Sequence, residues 1–228
     1  MRRLLMLVLC GLFAVLPATS SATTAQGARR SCVPSHARVL LSDRDAAVYR
    51  IRIGNRRGPQ IETRGCAFAG SRHSYLVWSE PAGEESVRRF DGIDHLVLRG
   101  TMIAYEKSFD LSHPFGTGNE DEEGPAEWRV IVRDLRGGRT IHDVTTGPSN
   151  SAHPKEIGDG RAFVIVLKAD GAVAWTTGAE PAEDGVHLLD REGSREFKVA
   201  RLAPHSLTLV GSSIHWTEGG LPRSAFLY

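Results

Sequence analysis

Cysteine is scarce, with three in 228 residues, which excludes a densely cross-linked scaffold and a four-cysteine zinc site. A surplus of charge of either sign is also missing: 28 Lys+Arg against 27 Asp+Glu leave +1. Neither a polyanion-binding surface nor a strongly acidic tail dominates. Lysine is rare in its own right, confined to Lys107, Lys155, Lys168 and Lys198. The other basic residues are arginine, which reflects a GC-rich bacterial coding sequence better than a functional demand. There is no Gly-x-Ser-x-Gly elbow, no phosphate-cradling glycine loop and no His-Glu-x-x-His, so the familiar serine-hydrolase, nucleotide and zinc-protease signatures are lacking. Stretches with a sustained helical period are almost absent. What remains, 41% hydrophobic and 24% charged residues, is ordinary for a globular domain and needs no metal to fold.

The one long apolar run stands at the front. Met1-Arg2-Arg3 precedes Leu4 to Leu16, which carry no charge; the pattern is a secretory n-region and h-region. A helix of that length rises only about 20 Å, short of the roughly 30 Å hydrocarbon core, so a spanning anchor is the weaker reading. Small residues from Ala18 to Ala28 suit signal peptidase, with cleavage expected between Ala22 and Ala28. Residues 1–28 are thus a signal peptide and small-residue spacer, and 29–228 a single exported domain without stable membrane insertion. Loss of Arg2 and Arg3 leaves 26 basic against 27 acidic residues, and nucleic-acid binding loses its main electrostatic support. Loss of Cys10 leaves Cys32 and Cys66, an even number in an oxidising compartment, so they are expected to pair.

The exported part repeats one unit: a short apolar strand, a tight polar turn and a second strand ending in an aromatic residue. Four copies run from Val39 to Tyr49, Leu96 to Tyr105, Val164 to Trp175 and Leu207 to Trp216. Second hairpins lie at Cys66 to Trp78, Arg129 to Val144 and Val186 to Val199. Phe163 to Leu167 is apolar throughout, as in a strand covered on both faces, whereas Tyr49, Ile51 and Ile53 alternate with Arg50 and Arg52, as in a strand with one wet face. The strand count is four, four, four and about three. The expected fold is all-β, a propeller-like array of about four antiparallel blades with the last incomplete, because a lone four-stranded unit cannot cover both its faces. A β-sandwich built from the same hairpins is the alternative.

The hairpins Lys168 to Trp175 and Val130 to Arg139 resemble blades of uncharacterised secreted bacterial β-propeller-like repeat proteins. The similarity covers most of residues 38–228 and implies a fold; its generic hairpin chemistry supplies no catalytic residue.

Candidate sites are few. An acidic insertion at 110–127 includes Glu120 and Asp121, but its spacing matches no calcium loop, so a solvated insertion is expected and no metal site is assigned. Trp128 borders this insertion and, with Glu120 and Asp121, forms the ligand-contact candidate, since flat rings stack on sugars and extended chains. Trp175 and Trp216 are read as packing between blades. Of nine histidines, none has helical ligand spacing, and neighbours such as His142 and Asp143 point to opposite faces of a strand. No catalytic residue and no cofactor is assigned. These features imply an exported binding or scaffold protein contacting a protein, peptide or glycan through its loops. The alternative is an extracellular hydrolase or lyase with carboxylates and histidines in a central pocket, recognisable if three or more of Asp91, Asp94, His95, Asp134, His142, Asp143, Asp190 and His215 converge.

Overall fold

The computed structural model describes residues 32–55, 58–69, 75–81, 93–110, 126–148, 162–177 and 185–228. Among them the regular elements are strands. The first sheet contains β1 (Arg38–Ser42), β2 (Ala46–Asn55), β3 (Gly58–Ala67) and β4 (Tyr75–Pro81); the second contains β5 (Ile93–Arg99), β6 (Met102–Asp110), β7 (Ala126–Asp134) and β8 (Arg139–Pro148). The third is β9 (Ala162–Leu167), β10 (Val173–Thr177), β11 (Gly185–Asp190) and β12 (Gly193–Lys198), and the fourth β13 (Thr208–Val210), β14 (Ser213–Glu218) and β15 (Leu221–Phe226). Each sheet is an antiparallel meander in chain order. The expected count of four, four, four and three strands is the count found, and each hairpin foreseen in the sequence is a strand pair.

Turn chemistry fixes these hairpins locally. Gly219 and Gly220, at φ of 55° and 84°, close β14 onto β15 in two residues, with Glu218 paired to Leu221. Two successive positive φ values match the right-handed twist of the flanking strands and are open to glycine without a Cβ penalty.

The sheets pack face to face in series, because strand alternation gives each inner sheet two apolar faces. On β6, Ile103 and Tyr105 join Ala46, Val48 and Val77 of the first sheet, while Ala104 on the opposite face joins Trp175 and Leu167 of the third. On β10, Val173 and Trp175 face the second sheet, whereas Ala174, with Val186 and Leu188 of β11, meets Ile214 and Trp216 of the fourth. Strand β10 is buried at every position, more completely than β9, where the sequence placed its doubly covered strand.

The aromatic anchors now have a common explanation. Tyr105, Trp175 and Trp216 each lie on the second strand of their sheet and pack in the layer shared with the preceding sheet. Tyr49 occupies the same position on β2, and among the described residues no sheet precedes it. Residues 32–37 take its place: Cys32, Val33 and Ala37 pack on Tyr49, and Cys32 is bonded to Cys66 of β3 with Cα atoms 6.2 Å apart. At the other end of the series, the outer face of the fourth sheet carries the cross-strand row Thr208, His215 and Ser224, polar side chains suited to water. Four sheets in series replace the two facing layers of the sandwich alternative. The first strands touch in the order β1 to β5, β5 to β9 and β9 to β13.

Candidate functional site

The hairpin turns of the third and fourth sheets meet at one end of the series and enclose a cleft of about 590 Å³, lined by His142, Lys168, Asp170, Ala172, Asp190, Arg191, Ser212 and Tyr228. That volume lies in the range of small-molecule sites. Lys168, Asp170 and Ala172 come from the β9–β10 turn, Asp190 and Arg191 from the β11–β12 turn, Ser212 from the β13–β14 turn and His142 from β8. These are tight turns because short polar side chains bond their own backbone: Asp170 accepts the amide of Ala172 at 3.1 Å and Asp190 accepts that of Glu192 at 2.9 Å.

The wall of the cleft is the segment after β15. Leu227 is fully buried in the layer between the third and fourth sheets. Its amide donates to the carbonyl of Ser212 at 2.8 Å, and its carbonyl accepts Lys168 Nζ at 3.0 Å. The Tyr228 amide donates to Asp190 Oδ2 at 2.9 Å, an oxygen that Arg195 Nη2 also reaches. Arg195 donates in addition to the carbonyl of Phe226 at 2.9 Å. Both Arg191 and Arg195 face the Tyr228 ring, with Cζ 5.7 Å and 5.4 Å from its centroid. Asp190 is therefore the knot of this end. Its side chain is wholly enclosed, and although burial opposes ionisation, the bonds from Tyr228, Glu192 and Arg195 outweigh it and hold its pKa below the usual carboxylate value.

Two ion pairs lie at this end, Lys168 with Asp170 and Arg195 with Asp190. Asp170, at 3.1 Å from Lys168 Nζ, is likewise lowered: burial works against the charge and the Ala172 amide and Lys168 more than restore it. Asp190 is matched by Arg195. Arg191 forms no ion pair among the described residues. Burial lowers the pKa of His142, so it enters the cleft as a neutral imidazole at pH 7 and adds no charge.

Of the eight acidic and histidine residues that would mark a catalytic pocket, His142 and Asp190 line the cleft. Asp134 accepts Thr101 Oγ1 at 3.1 Å and the amide of Arg136 at 3.0 Å, a turn role. Asp143 pairs with Arg129 at 3.4 Å, on the face of β8 opposite His142, as strand alternation requires. His215 stands on the outer face of the fourth sheet. Asp94 and His95 lie on β5 at its bulge, where His95 has φ of 53°. Asp91 lies outside the described residues. Among the described residues no group of three or more His, Cys, Asp or Glu could hold a metal ion.

Trp128 is in β7, opposite Ser108, and 8% exposed. Its companions Glu120 and Asp121 lie outside the described residues. The cleft itself was not singled out from the sequence. Its signal is positional: Lys168 to Asp170 and Gly211 to Ser212 occupy the same turn of successive repeats, and equivalent turns of stacked sheets gather at one end.

No family model matches the chain, and no curated protein matches it. Solved structures with some likeness include an acylaminoacyl peptidase of Pyrococcus horikoshii, at 7% identity and a TM-score of 0.35 over 80% of this chain and 35% of that one. A mutant of the GH43 protein BlXynB from Bacillus licheniformis is 12% identical, with a TM-score of 0.33, over 81% of this chain and 36% of that one. A puromycin-hydrolysing peptidase of Mycobacterium tuberculosis is 12% identical, with a TM-score of 0.19, over 84% and 47%. The chain thus spans between about a third and a half of each. Likeness at this level carries no argument about activity.

Proposed function

We propose that the protein is an exported binding or scaffold protein, built as an open arc of four propeller-like blades, whose ligand contact is the cleft at the turn end of the third and fourth sheets. The serial packing of sheets and the sequential contact of their first strands support the propeller-like reading. The Cys32–Cys66 bond and the charged-then-apolar start of the sequence support export to an oxidising compartment. The partner class is a protein, peptide or glycan outside the cytoplasmic membrane.

One observation favours binding over hydrolysis or lysis. The carboxylate at the cleft, Asp190, has no exposed side-chain surface and already accepts three donors, so its acceptor sites are largely committed to structure and not to a substrate proton. His142 comes from β8 of another sheet and has no carboxylate partner among the described residues to orient it. A preformed concave site with committed polar groups suits recognition.

The test is capture from envelope material by immobilised mature protein, with wild type and Ser212→Trp compared. Ser212 is exposed and its structural bond uses only the backbone carbonyl, so an indole there fills the cleft without unlocking it. Loss of the captured partner from the variant, at unchanged melting temperature, is the expected result. Equal capture by both forms would remove the cleft as the ligand site.

A further inference from the structure

We propose that the outer face of the fourth sheet joins two copies of this chain into a two-fold dimer with its axis along β14. The proposal goes beyond the cleft and does not depend on what the cleft binds. Val210 is 67% exposed and Phe226 58%, and both stand on this face. They share one cross-strand row with Ser213, and the next row is Thr208, His215 and Ser224. Neither row holds Asp, Glu, Lys or Arg. Charge is kept to the other side of the sheet or to the turn end. Glu218 and Arg223 fall in register with Leu221 and the inward-facing Trp216 and pair at 2.9 Å. Tyr228, with the terminal carboxylate, is turned over Asp190.

These features choose the occupant. An isologous contact sets a face against its own copy, so a charged row would repel itself, and a row without charge does not. The layers inside the molecule are already sheet on sheet, and a facing copy continues the series by the same packing. Head-to-tail stacking is closed off, because residues 32–37 cover the anchor on the outer face of the first sheet. The pairing is therefore fourth sheet on fourth sheet and stops at two copies. Edge pairing is disfavoured as well: in β15, Pro222 has no N–H to offer and the carbonyl of Phe226 is held by Arg195. The row order fixes the axis. Rotation about β14 exchanges the two edge strands and keeps each row at its own height. Val210 of each copy then meets Phe226 of the other, and Thr208 meets Ser224. Rotation about a line across the middle of the sheet would instead set the apolar row against Thr217 and Pro222. Three strands of six residues span about 14 by 20 Å, a plane of about 300 Å². A standard interface buries roughly 800 Å² per partner, so this dimer is weak, with a dissociation constant on the order of 10–100 μM.

The test is sedimentation velocity of the mature protein across concentrations that bracket this constant, with the melting temperature as control. Wild type is expected to pass from monomer to dimer, with no larger species. Val210→Glu or Phe226→Lys alone buries an unpaired charge at each of two contacts and should weaken association at least about tenfold at unchanged melting temperature. Combining the two substitutions sets the new carboxylate of each copy against the new ammonium of the other, and should restore dimers that loosen with salt. Within one chain these positions lie two strands apart, roughly 10 Å, so the rescue reports contact between copies. A wild type that stays monomeric throughout, single variants that associate as wild type does, or a double variant no better than the singles would overturn the assignment. So would a monomeric wild type that captures an envelope protein which Phe226→Lys releases, since the face then belongs to a different partner.

Discussion

Replacing Asp190 by Asn tests whether the segment after β15 is clasped by charge. The carboxylate is fully enclosed and accepts the amides of Glu192 and Tyr228, both at 2.9 Å, together with Arg195 Nη2. The amide of Asn can keep one oxygen towards a backbone donor, but its nitrogen then confronts a second donor, and the charge opposite Arg195 is gone. One charge-assisted bond is worth roughly 1.5–3 kcal/mol, and the partly exposed guanidinium pulls the cost to the lower half, about 2 kcal/mol. For a chain of this size that lowers the melting temperature by about 4–8 °C at pH 7. The pH dependence carries the sign. Because the folded pKa of Asp190 is lowered, its contribution is present above the unfolded carboxylate value near 3.9 and disappears as pH falls through the folded value. Thermal unfolding of the two proteins at pH 7 and at pH 2 should show a gap that closes in acid. A variant within 1 °C of wild type at pH 7, or a deficit that persists undiminished at pH 2, would refute the charge-clasp reasoning.

Two further outcomes follow from the packing. Cys32→Ser with Cys66→Ser opens a loop of sequence separation 34 and should cost about 3.8 kcal/mol on the chain-entropy account; calorimetry should show a fall of about 8–15 °C, and a smaller change of under 2 °C would mean that residues 32–37 cover Tyr49 unaided. Gly65→Ala places a Cβ 2.5 Å from Leu135 Cδ2, in a side chain with no exposure, so overpacking between the first and second sheets should destabilise by about 1–3 kcal/mol. Leu135→Val should relieve part of that cost, and denaturant midpoints of the single and double variants should be less than additive.

Much of the architecture is legible in the sequence because it is locally determined. Alternation along Val48, Tyr49 and Arg50, the polar turns after Leu41, Leu98, Leu167 and Val210, and the aromatic residue on each second strand are all decided within about a dozen residues. The pairing of Cys32 with Cys66 follows from a count. The irregular spacing of the anchors is explained by segments that join strands, not by the strands themselves. The cleft is different: Lys168 meets Leu227 across a separation of 59, and Asp190 meets Tyr228 across 38. No local pattern encodes such a meeting. Asp190 reads as a turn aspartate, which it also is, and Tyr228 reads as a trailing residue of an unfinished sheet.

The unequal ends of the series decide how the site came to lie where it does. A stack of sheets leaves two terminal faces, and each must be made tolerable in water. At the first sheet the solution is a cap, since Tyr49 is an apolar anchor with no sheet before it among the described residues, and residues 32–37 cover it and are fastened covalently to β3. At the fourth sheet the outer face is mixed: the row Thr208, His215 and Ser224 is polar, whereas the next row leaves Val210 and Phe226 exposed on either side of Ser213, and no described segment caps it. That leaves the segment after β15 free of a covering role on the outer face. It turns the other way, burying Leu227 between the third and fourth sheets, and in doing so carries Tyr228 over Asp190 between two arginines. The three-stranded sheet is therefore not a defect to be explained away. Chain that follows β15 closes the layer at its turn end and supplies one wall of the cleft.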